Sequence, residues 1–264
     1  MLHPHIPSFP FDTPHRTRLG LVGSLWSLLR GRIPMWENGQ VICIEIPLDP
    51  TAAARLLPHG LRLDKTCSGI FGIADYAKTA FTSPYRECFV LFRVRSLLGG
   101  AGLHCPWMIV NDDTALIYGR ELLAYPKKMG DIAITGTERE ISFAAQRRGV
   151  ALAEGSVSLL EKEENPQPLT GVKIFNTGGP GQFMALNPVW MFRFRETIHE
   201  SYRAQARLKL ADSPYDPVRR LAGNLDQPLA ARVGRIDIMG WRYMLPVGLA
   251  GPRNFANTFE YRFR

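Results

Sequence analysis

The sequence predicts a mainly β (α+β) fold, a curled antiparallel sheet with a few short helices at its periphery. Three observations indicate it: short runs rich in β-branched and aromatic residues recur along the chain, Gly or charged turns separate them, and helical periodicity is rare. The chain has 264 residues, of which 45% are hydrophobic and 21% charged. This composition excludes intrinsic disorder, a collagen-like fibre and a coiled coil. Because no internal repeat or low-complexity linker divides the chain, we expect one large domain.

The first residues differ in composition from the rest of the chain. Residues 1–15 contain four Pro and three His with little periodicity, which is typical of an irregular arm. Residues 19–29 are apolar but fall short of the ~20 residues of a membrane span. No small-residue cleavage site of a signal peptide follows them. We therefore expect a cytoplasmic protein with an N-terminal arm and short helix at 1–37, followed by one domain at 38–264.

Strands and short helices are predicted from about residue 40 onward. β-rich runs bounded by turn residues predict strands at 40–48, 70–76, 87–94, 114–118, 131–135, 141–146, 150–160 and 233–244. Residues 196–210 lack helix breakers, but their apolar side chains fall on one parity, which predicts a strand with one buried face. Asp49 is expected to cap a short helix that begins at Pro50, and a second short helix is predicted at 216–221. Residues 111–113 are interpreted as a hairpin turn before the strand at 114–118.

The chain carries a formal net charge of +8, which is typical of nucleic-acid-binding and membrane-binding proteins. However, of its 32 basic residues only seven are Lys, and the remaining 25 Arg are scattered, often alternating with apolar residues as at 192–195. The solvated outer face of strands explains this pattern, so neither nucleic acid nor a membrane is an expected partner. The four Cys have no metal-binding spacing and are expected to be reduced and mostly buried.

The most informative segment is Gly119–Gly130, with the sequence GRELLAYPKKMG. Its adjacent lysines, Lys127 and Lys128, would ordinarily be interpreted as a solvated charge pair. Here the flanking residues are apolar or aromatic, Pro126 fixes the backbone directly before Lys127, and lysine is scarce in the chain. These features favour a functional pair.

This segment resembles the signature of the acetoacetate decarboxylase family, GREL-x-(F/Y)PKK-x-G. Residues 110–118 fit the strand-turn-strand that precedes the signature, and Tyr85-Arg86-Glu87 lies where the family carries a Y-x-E acid. Residues 216–218 and the strands after them resemble its C-terminal segment. The likeness covers about residues 38–264. It implies that the sheet forms a cone-like β-barrel, and that the protein is a homo-oligomer acting on a small keto acid without a metal or organic cofactor.

The resemblance implies that Lys127 forms a Schiff base, that Lys128 is its cationic neighbour and that Glu87 moves protons. A β-keto acid loses CO₂ with difficulty because a carbanion must form, whereas a protonated imine accepts the electron pair as a neutral enamine. The attacking amine must be neutral, although free Lys titrates near ~10.4. A desolvating pocket or a neighbouring cation is the activation described for acetoacetate decarboxylase itself. Because successive side chains of a strand point to opposite faces, we expect desolvation to contribute more than Lys128.

Other positions either support this site or depart from the family pattern. Tyr125 is expected to line the substrate pocket, and Arg120 and Glu121 to support it, for example as a buried ion pair. Ungapped matching places Gly39 where the family carries the Arg that receives the substrate carboxylate, and Gly72 where it carries a second Glu. The candidates to replace that Arg come from the N-terminal extension: Arg16, Arg18, Arg30 and Arg32.

Three functions are compatible with these residues. The first is an acetoacetate decarboxylase-like lyase that decarboxylates a β-keto acid through an imine on Lys127. The second is a Schiff-base aldolase or dehydratase on the same scaffold, which the loss of polar groups at Gly39 and Gly72 would favour. The third is a non-enzymatic barrel that binds a hydrophobic ligand and uses the lysines structurally.

Overall fold

A computed structural model describes residues 34–170, 173–178 and 187–252, in which thirteen strands form one sheet. The strands are β1 (Pro34–Pro47), β2 (Leu61–Leu63), β3 (Ser68–Tyr76), β4 (Lys78–Thr79), β5 (Tyr85–Ser96), β6 (Gly100–Val110), β7 (Lys127–Met129), β8 (Asp131–Gly136), β9 (Glu140–Arg147), β10 (Val150–Lys162), β11 (Lys173–Thr177), β12 (Pro188–Leu210) and β13 (Leu229–Leu249). The prediction of a mainly β protein is confirmed.

The sheet is largely antiparallel and curls on itself. Its strand order is β11-β6-β5-β3-β1-β13-β12-β10-β9-β8, and β11 also pairs with β12. The pairings around β1, β3, β5, β6, β11, β12 and β13 therefore return to their starting point. Within the described ranges, the parallel pairings are those of β6 with β7 and with β11. The predicted curled sheet is thus confirmed.

The two faces of the sheet carry different apolar clusters, as β5 shows most clearly. Phe89 and Leu91 belong to one cluster, whereas Val90 and Phe92 belong to the other. This division follows from the period of two in a strand, which sends successive side chains to opposite faces. We refer to them as the Phe89 cluster and the Val90 cluster. The Phe89 cluster also contains Trp36, Tyr85, Met108, Phe194 and Ile238; the Val90 cluster also contains Phe71, Trp107, Ile109, Phe143 and Phe175.

The segment before the lysine pair corrects the sequence prediction. Residues 114–118 were expected to form a strand after a hairpin turn, but Asp113–Leu123 is a helix, here called α2. The preceding Asp112 is its N-cap and accepts a hydrogen bond from the backbone N–H of Ala115 at 2.7 Å. The buried residues Ala115, Gly119 and Leu123 recur every four positions. That helical spacing and the cap decide the structure, because the β-forming residues within 114–118 are too few to override them.

The remaining helices are short, and their positions agree with the prediction. Helix α1 (Pro50–Leu56) begins after Asp49, whose side chain accepts from the N–H of Ala52 at 2.8 Å. Helix α3 (Val218–Leu221) precedes β13. The parity of β12 is also confirmed, since Ala204, Ala206, Leu208 and Leu210 are all buried. All four cysteines are free, and three of them are buried.

The N-terminal extension falls largely outside the described residues. These exclude the predicted helix at 19–29 and the four arginines proposed as replacements. Strand β1 begins at Pro34, earlier than the expected residue 40. The division into 1–37 and 38–264 remains a prediction. Within the part of the chain that the structure describes, no helix has the length and hydropathy required to cross a membrane.

Candidate active site

Helix α2 positions the lysine pair of β7. The helix ends at Leu123, and its C-cap Ala124 reverses the chain with a φ of 57°. The N–H of Tyr125 then donates to the carbonyl of Gly119 at 3.0 Å. The proline that follows cannot continue the helix. The guanidinium of Arg120 donates to the backbone carbonyl of Lys127 at 3.1 Å. The GREL segment therefore holds Lys127 in a defined position.

Lys127 is buried, with only 3% of its surface exposed. Its Nζ donates to Oε2 of Glu87 at 3.1 Å and lies 5.2 Å from the centre of the Tyr85 ring and 6.0 Å from that of Tyr125. Its aliphatic stem packs against helix α2 at Gly119. A Cβ on that glycine would lie 2.5 Å from Cδ and Cε of Lys127, closer than real contacts allow. A larger residue where α2 meets the lysine would therefore have to displace the lysine stem.

Glu87 lies at the centre of a buried polar network. It accepts from the hydroxyls of Tyr76 at 3.2 Å and Tyr85 at 3.3 Å, in addition to Lys127. The indole N–H of Trp36 donates in turn to the Tyr85 hydroxyl at 2.7 Å. Burial, and then the neighbouring Glu87, raise the pKa values of Tyr76 and Tyr85 well above their ordinary value. Both tyrosines thus remain neutral donors, and they orient the carboxylate towards Lys127.

A mostly apolar cavity lies beside the lysine amine. Among its described lining residues, Lys127 and Glu87 are the only charged ones. The remaining lining residues are Trp36, Tyr76, Phe89, Leu91, Met108, Tyr125, Thr170, Ile174, Phe194 and Ile238. A larger groove elsewhere on the surface is lined by charged side chains such as Arg93 and Arg232, but neither Lys127 nor Lys128 lines it. The cavity therefore combines a buried amine, a carboxylate and an apolar enclosure.

Two aromatic rings occupy the space above the glycines that depart from the family pattern. A Cβ on Gly39 would lie 2.6 Å from Cδ1 of Tyr76, and a Cβ on Gly72 would lie 2.1 Å from Cε2 of Phe89. Gly72 and Phe89 are also direct partners in the pairing of β3 with β5. Both rings line the cavity. Aromatic side chains thus cover both positions at which the resemblance led us to expect polar groups.

Lys128 lies on the other face of β7, as the alternation predicted. Its Nζ donates to Oδ1 of Asp216 at 2.7 Å and to the carbonyl of Tyr215 at 2.9 Å. Arg147 donates to Oδ2 of the same aspartate at 2.9 Å, and the indole N–H of Trp107 donates to its Oδ1 at 2.9 Å. Asp216 is only 1% exposed. This cluster ties β6, β7, β9 and the segment before α3 together.

Burial and the neighbouring charges shift the pKa values of the groups in this cluster. Burial lowers the pKa of Lys128 to about 8, against the opposing effect of its hydrogen bond to Asp216. Burial also acts to raise the pKa of Asp216, but Lys128, Trp107 and Arg147 together hold it below its ordinary value. The aspartate is therefore ionised at neutral pH, and the lysine ammonium is less stable than in water.

This shift predicts how stability depends on pH. The pKa of Lys128 is about 8 in the folded protein, against 10.5 for an unperturbed lysine, so the unfolded chain binds more protons between these values. The contribution of this group to the free energy of unfolding therefore increases as the pH rises through that range. Urea denaturation of the wild type and of Lys128→Met across this range should show the wild type gaining stability relative to the variant. A constant difference, or one of opposite sign, would contradict the shift.

The structure brings together some of the residues expected at the site. Lys127, Glu87 and Tyr125 share the cavity, whereas Lys128 lies behind β7. Neither Arg120 nor Glu121 is among the described lining residues. Glu121 is exposed, so the expected buried ion pair with Arg120 is wrong: the helix continues to Leu123 and turns this side chain to solvent. Arg120 supports the backbone of the lysine strand instead.

Sequence reasoning missed several residues of the site. Trp36, Tyr76 and Tyr85 form the network around Glu87, and Asp216 binds Lys128. Tyr85 lies two positions before Glu87, where the predicted strand begins, and an extension of that strand would place both side chains on one face, which was a usable signal. Residues 216–218 resembled the family's C-terminal segment, but no local pattern indicates that Asp216 binds Lys128, because its partners come from distant parts of the chain.

Comparisons with known proteins identify a matching family and several solved structures with a similar fold. The acetoacetate decarboxylase (ADC) family model matches residues 23–243. The solved acetoacetate decarboxylase of Legionella pneumophila subsp. pneumophila str. Philadelphia 1 is 17% identical, with a TM-score of 0.65 over 81% of this chain and 85% of that chain. The enduracididine biosynthesis enzyme MppR, solved with pyruvate, is 17% identical, with a TM-score of 0.65 over 80% of this chain and 88% of that chain.

A third similar structure is an acetoacetate decarboxylase-like enzyme from Sphingomonas wittichii RW1. It is 13% identical, with a TM-score of 0.65 over 79% of this chain and 91% of that chain. In the comparison with curated proteins, no sequence matches significantly. At these identities the solved structures show a shared fold. Because the family model spans most of the sequence, including the segment with the buried lysine, the chain belongs to the acetoacetate decarboxylase family.

Proposed function

We propose that this protein decarboxylates a β-keto acid through an imine on Lys127. One observation carries the proposal: the amine of Lys127 is buried in a mostly apolar cavity, 3.1 Å from the carboxylate of Glu87. An amine attacks a carbonyl only when it is neutral. Glu87 is within direct reach of the proton that the amine must lose.

The reaction can be written with these two residues. Glu87 takes a proton from Lys127, and Nζ adds to the ketone carbon of the substrate to give a carbinolamine. Glu87 then returns this proton to the departing hydroxyl, so that water leaves and a protonated imine remains. The bond to the substrate carboxylate breaks, CO₂ leaves, and the electron pair moves into the imine to form an enamine. Glu87, reprotonated from solvent, donates a proton to the enamine carbon, and water hydrolyses the resulting protonated imine to the ketone and the ammonium form of Lys127.

The cavity also favours the bond-breaking step. In the described lining, the one cation is Lys127, so the described residues offer the reacting carboxylate no separate positive partner. A buried carboxylate without such a partner is destabilised, and its charge disperses as CO₂ departs. The hydroxyls of Tyr76 and Tyr85 meanwhile hold Glu87 in place.

The proposal is tested by borohydride reduction of the wild-type protein with a panel of keto acids. We expect a substrate-dependent mass increase on the peptide that contains Lys127, together with release of CO₂. Absence of adducts with every keto acid would overturn imine chemistry and favour a non-enzymatic binder.

A second candidate is aldol condensation or dehydration through the same imine. The specific observation in its favour is that Tyr76 and Phe89 cover Gly39 and Gly72, where the family carries polar groups. MppR has been solved with pyruvate and with the condensation product of pyruvate and imidazole 4-carboxaldehyde. Adducts on Lys127 without CO₂, accompanied by condensation of a keto acid with an aldehyde, would select this function over decarboxylation.

The role of Glu87 predicts a large loss in Glu87→Gln. An amide does not accept the proton of the amine, so imine formation should slow roughly 10²-fold to 10³-fold. The initial rate of borohydride trapping measures this step. Asp75→Asn removes one negative charge from a partly exposed ion pair with Arg86 and is the matched control. Equal rates in Glu87→Gln and wild type would exclude a proton-transfer role for Glu87.

The contact between α2 and Lys127 predicts that Gly119→Ala impairs the site without unfolding the helix. The added methyl would lie 2.5 Å from the lysine stem and must displace it. A displacement of about 1 Å typically costs on the order of 10²-fold in rate. Alanine favours a helix over glycine by about 1 kcal/mol, so folding is not the expected defect.

This prediction is checked by trapping rates and far-UV circular dichroism. Ile117→Ala, at an exposed position of the same helix, is the control and should trap at the wild-type rate. A wild-type trapping rate in Gly119→Ala would show that the lysine stem moves aside freely.

A further inference from the structure

Glu196 is a carboxylate near the cavity that the proposed mechanism does not use. It lies on β12 directly opposite Ile238 of β13 in the antiparallel pairing. Directly paired residues point to the same face of a sheet, and Ile238 lines the cavity. Ile198, two positions farther along β12, packs against the Phe89 cluster on this face. The carboxylate of Glu196 therefore projects towards the side of the sheet on which the cavity lies.

Three donors converge on this carboxylate. Its Oε2 accepts from the backbone N–H of Leu169 at 2.7 Å, and its Oε1 accepts from the backbone N–H of Thr170 at 3.0 Å and from the Thr170 hydroxyl. Burial raises the pKa of Glu196, and these three hydrogen bonds oppose the rise. The donors favour the ionised carboxylate, which can only accept hydrogen bonds. The single proton of the Thr170 hydroxyl is therefore directed at Glu196.

The segment that carries Thr170 is anchored from three strands. Arg232 of β13 donates to the backbone carbonyl of Gln167 at 2.8 Å, and the thiol of Cys43 on β1 donates to that of Leu169 at 3.5 Å. The third anchor is the carboxylate on β12, which holds the next two backbone N–H groups. Thr170, which lines the cavity, is thus held in a defined position.

The hydroxyl oxygen of Thr170 differs in its effect on the ketone and on the carbinolamine. A hydroxyl has one proton and two lone pairs, so with its proton directed at Glu196 it can only accept a further hydrogen bond. The ketone oxygen of the substrate has no hydrogen to donate. When Nζ of Lys127 adds to the ketone carbon, a proton moves from the nitrogen to the former carbonyl oxygen, which becomes a hydroxyl donor. An acceptor in the cavity wall therefore stabilises the carbinolamine but not the bound ketone.

We infer that Thr170 is a catalytic residue whose hydroxyl oxygen accepts a hydrogen bond from the carbinolamine hydroxyl. Glu196 is a positioning residue, which acts through Thr170 by holding its hydroxyl in the accepting orientation. This inference rests on the imine chemistry of the proposed function. It adds two residues that lie outside the Gly119–Gly130 segment.

The first test compares Thr170→Val, which removes the acceptor, with Thr170→Ser, which keeps it. Acetoacetate, pyruvate and benzoylacetate are trapped on the wild type with excess borohydride, and the acid that labels Lys127 fastest is then used for the variants. The limiting trapping rate should fall about tenfold in Thr170→Val, the effect of one hydrogen bond, and should stay within about threefold of wild type in Thr170→Ser. Thermal unfolding shows whether each variant is folded.

The concentration dependence of trapping separates this role from a structural one. The hydrogen bond forms after the ketone has bound, so the keto acid concentration that gives half the limiting rate should stay within about twofold of wild type in Thr170→Val. A change in the shape of the cavity would raise this concentration. A wild-type limiting rate in Thr170→Val, or a loss explained entirely by weaker binding, would overturn the catalytic role of Thr170.

Glu196→Gln tests the positioning role. An amide donates as well as accepts, so its NH₂ group would donate to the Thr170 oxygen and turn the hydroxyl proton away. The limiting trapping rate should therefore fall about tenfold, as in Thr170→Val. Glu200→Gln is the matched control, because Glu200 lies on the same strand in a partly exposed ion pair with Arg235, and it should trap at the wild-type rate.

The double variant decides whether Glu196 acts through Thr170. If it does, Thr170→Val combined with Glu196→Gln should trap no more slowly than Thr170→Val alone. Losses that multiply in the double variant would show that Glu196 acts independently and would overturn its assignment as a positioning residue.

The failure of this inference is distinguishable from that of the proposed function. If both single variants trap at the wild-type rate while Lys127 forms adducts, Thr170 and Glu196 have no role in the reaction and the imine mechanism stands. If the wild type forms no adduct with any keto acid, the proposed function itself is wrong.

Discussion

Lys127→Met should abolish borohydride trapping and keto acid turnover, with a loss of at least about 10⁴-fold in rate. Methionine has a similar length and apolar stem but no nucleophile, so no imine can form. The buried position of the lysine, with Nζ 3.1 Å from Glu87, means that neither water nor another described amine replaces it at that point. The measurement is the mass of the Lys127-containing peptide together with CO₂ release.

Two further lysine variants sharpen this result. Lys162→Met removes an exposed lysine and should trap at the wild-type rate. Lys128→Met should be trapped at a rate within about tenfold of the wild-type rate. The reason is that the Nζ of Lys128 binds Asp216 on the other face of β7 and does not contact the cavity. Adducts that persist in Lys127→Met would assign the reaction to another residue. A loss in Lys128→Met as deep as that in Lys127→Met would show that the neighbouring charge, and not desolvation, activates the amine.

Asp216→Asn should be the most destabilising of the substitutions considered. It leaves the ammonium of Lys128 and the guanidinium of Arg147 buried without the carboxylate that joins them. Removing one partner of a buried ion pair typically costs about 3–5 kcal/mol. The free energy of unfolding from urea denaturation measures the effect. Lys128→Met should cost less, since Asp216 keeps Arg147 as its cation.

Asp212→Asn is the matched control for this substitution. Asp212 binds Arg220 on the surface, where the arginine side chain is 70% exposed. An exposed pair contributes at most about 1 kcal/mol. If the two aspartate variants lose similar stability, the buried cluster around Asp216 contributes nothing beyond an ordinary surface ion pair.

The strands were predictable where one side chain in two is apolar. Residues 204–210 show this pattern, and every second side chain is buried in β12. The cap at Asp49 likewise predicted α1 correctly. Residues 114–118 were predicted wrongly because five residues cannot distinguish a helix from a strand by composition. Asp112 and the spacing of Ala115, Gly119 and Leu123 carried the missing information.

The candidate site was predictable only in part. Lys127 and Glu87 were identified through a local signature, and the structure places them in contact. Tyr76 and Asp216 reach their partners across 11 and 88 positions of the sequence, which no local pattern encodes. Glycine at positions 39 and 72 indicated a missing polar group, but the rings that cover these positions come from residues on neighbouring strands.

The alternation along β5 has a consequence for redesigning this protein. Positions 87, 89 and 91 line the cavity, while 88, 90 and 92 pack on the opposite side of the same backbone. A combinatorial library that varies only 89 and 91 would diversify the chemical surroundings of the amine and leave the packing behind the strand unaltered. Selection for new substrates and selection for thermal stability can thus be carried out separately, because each varies a different set of positions on the same strand.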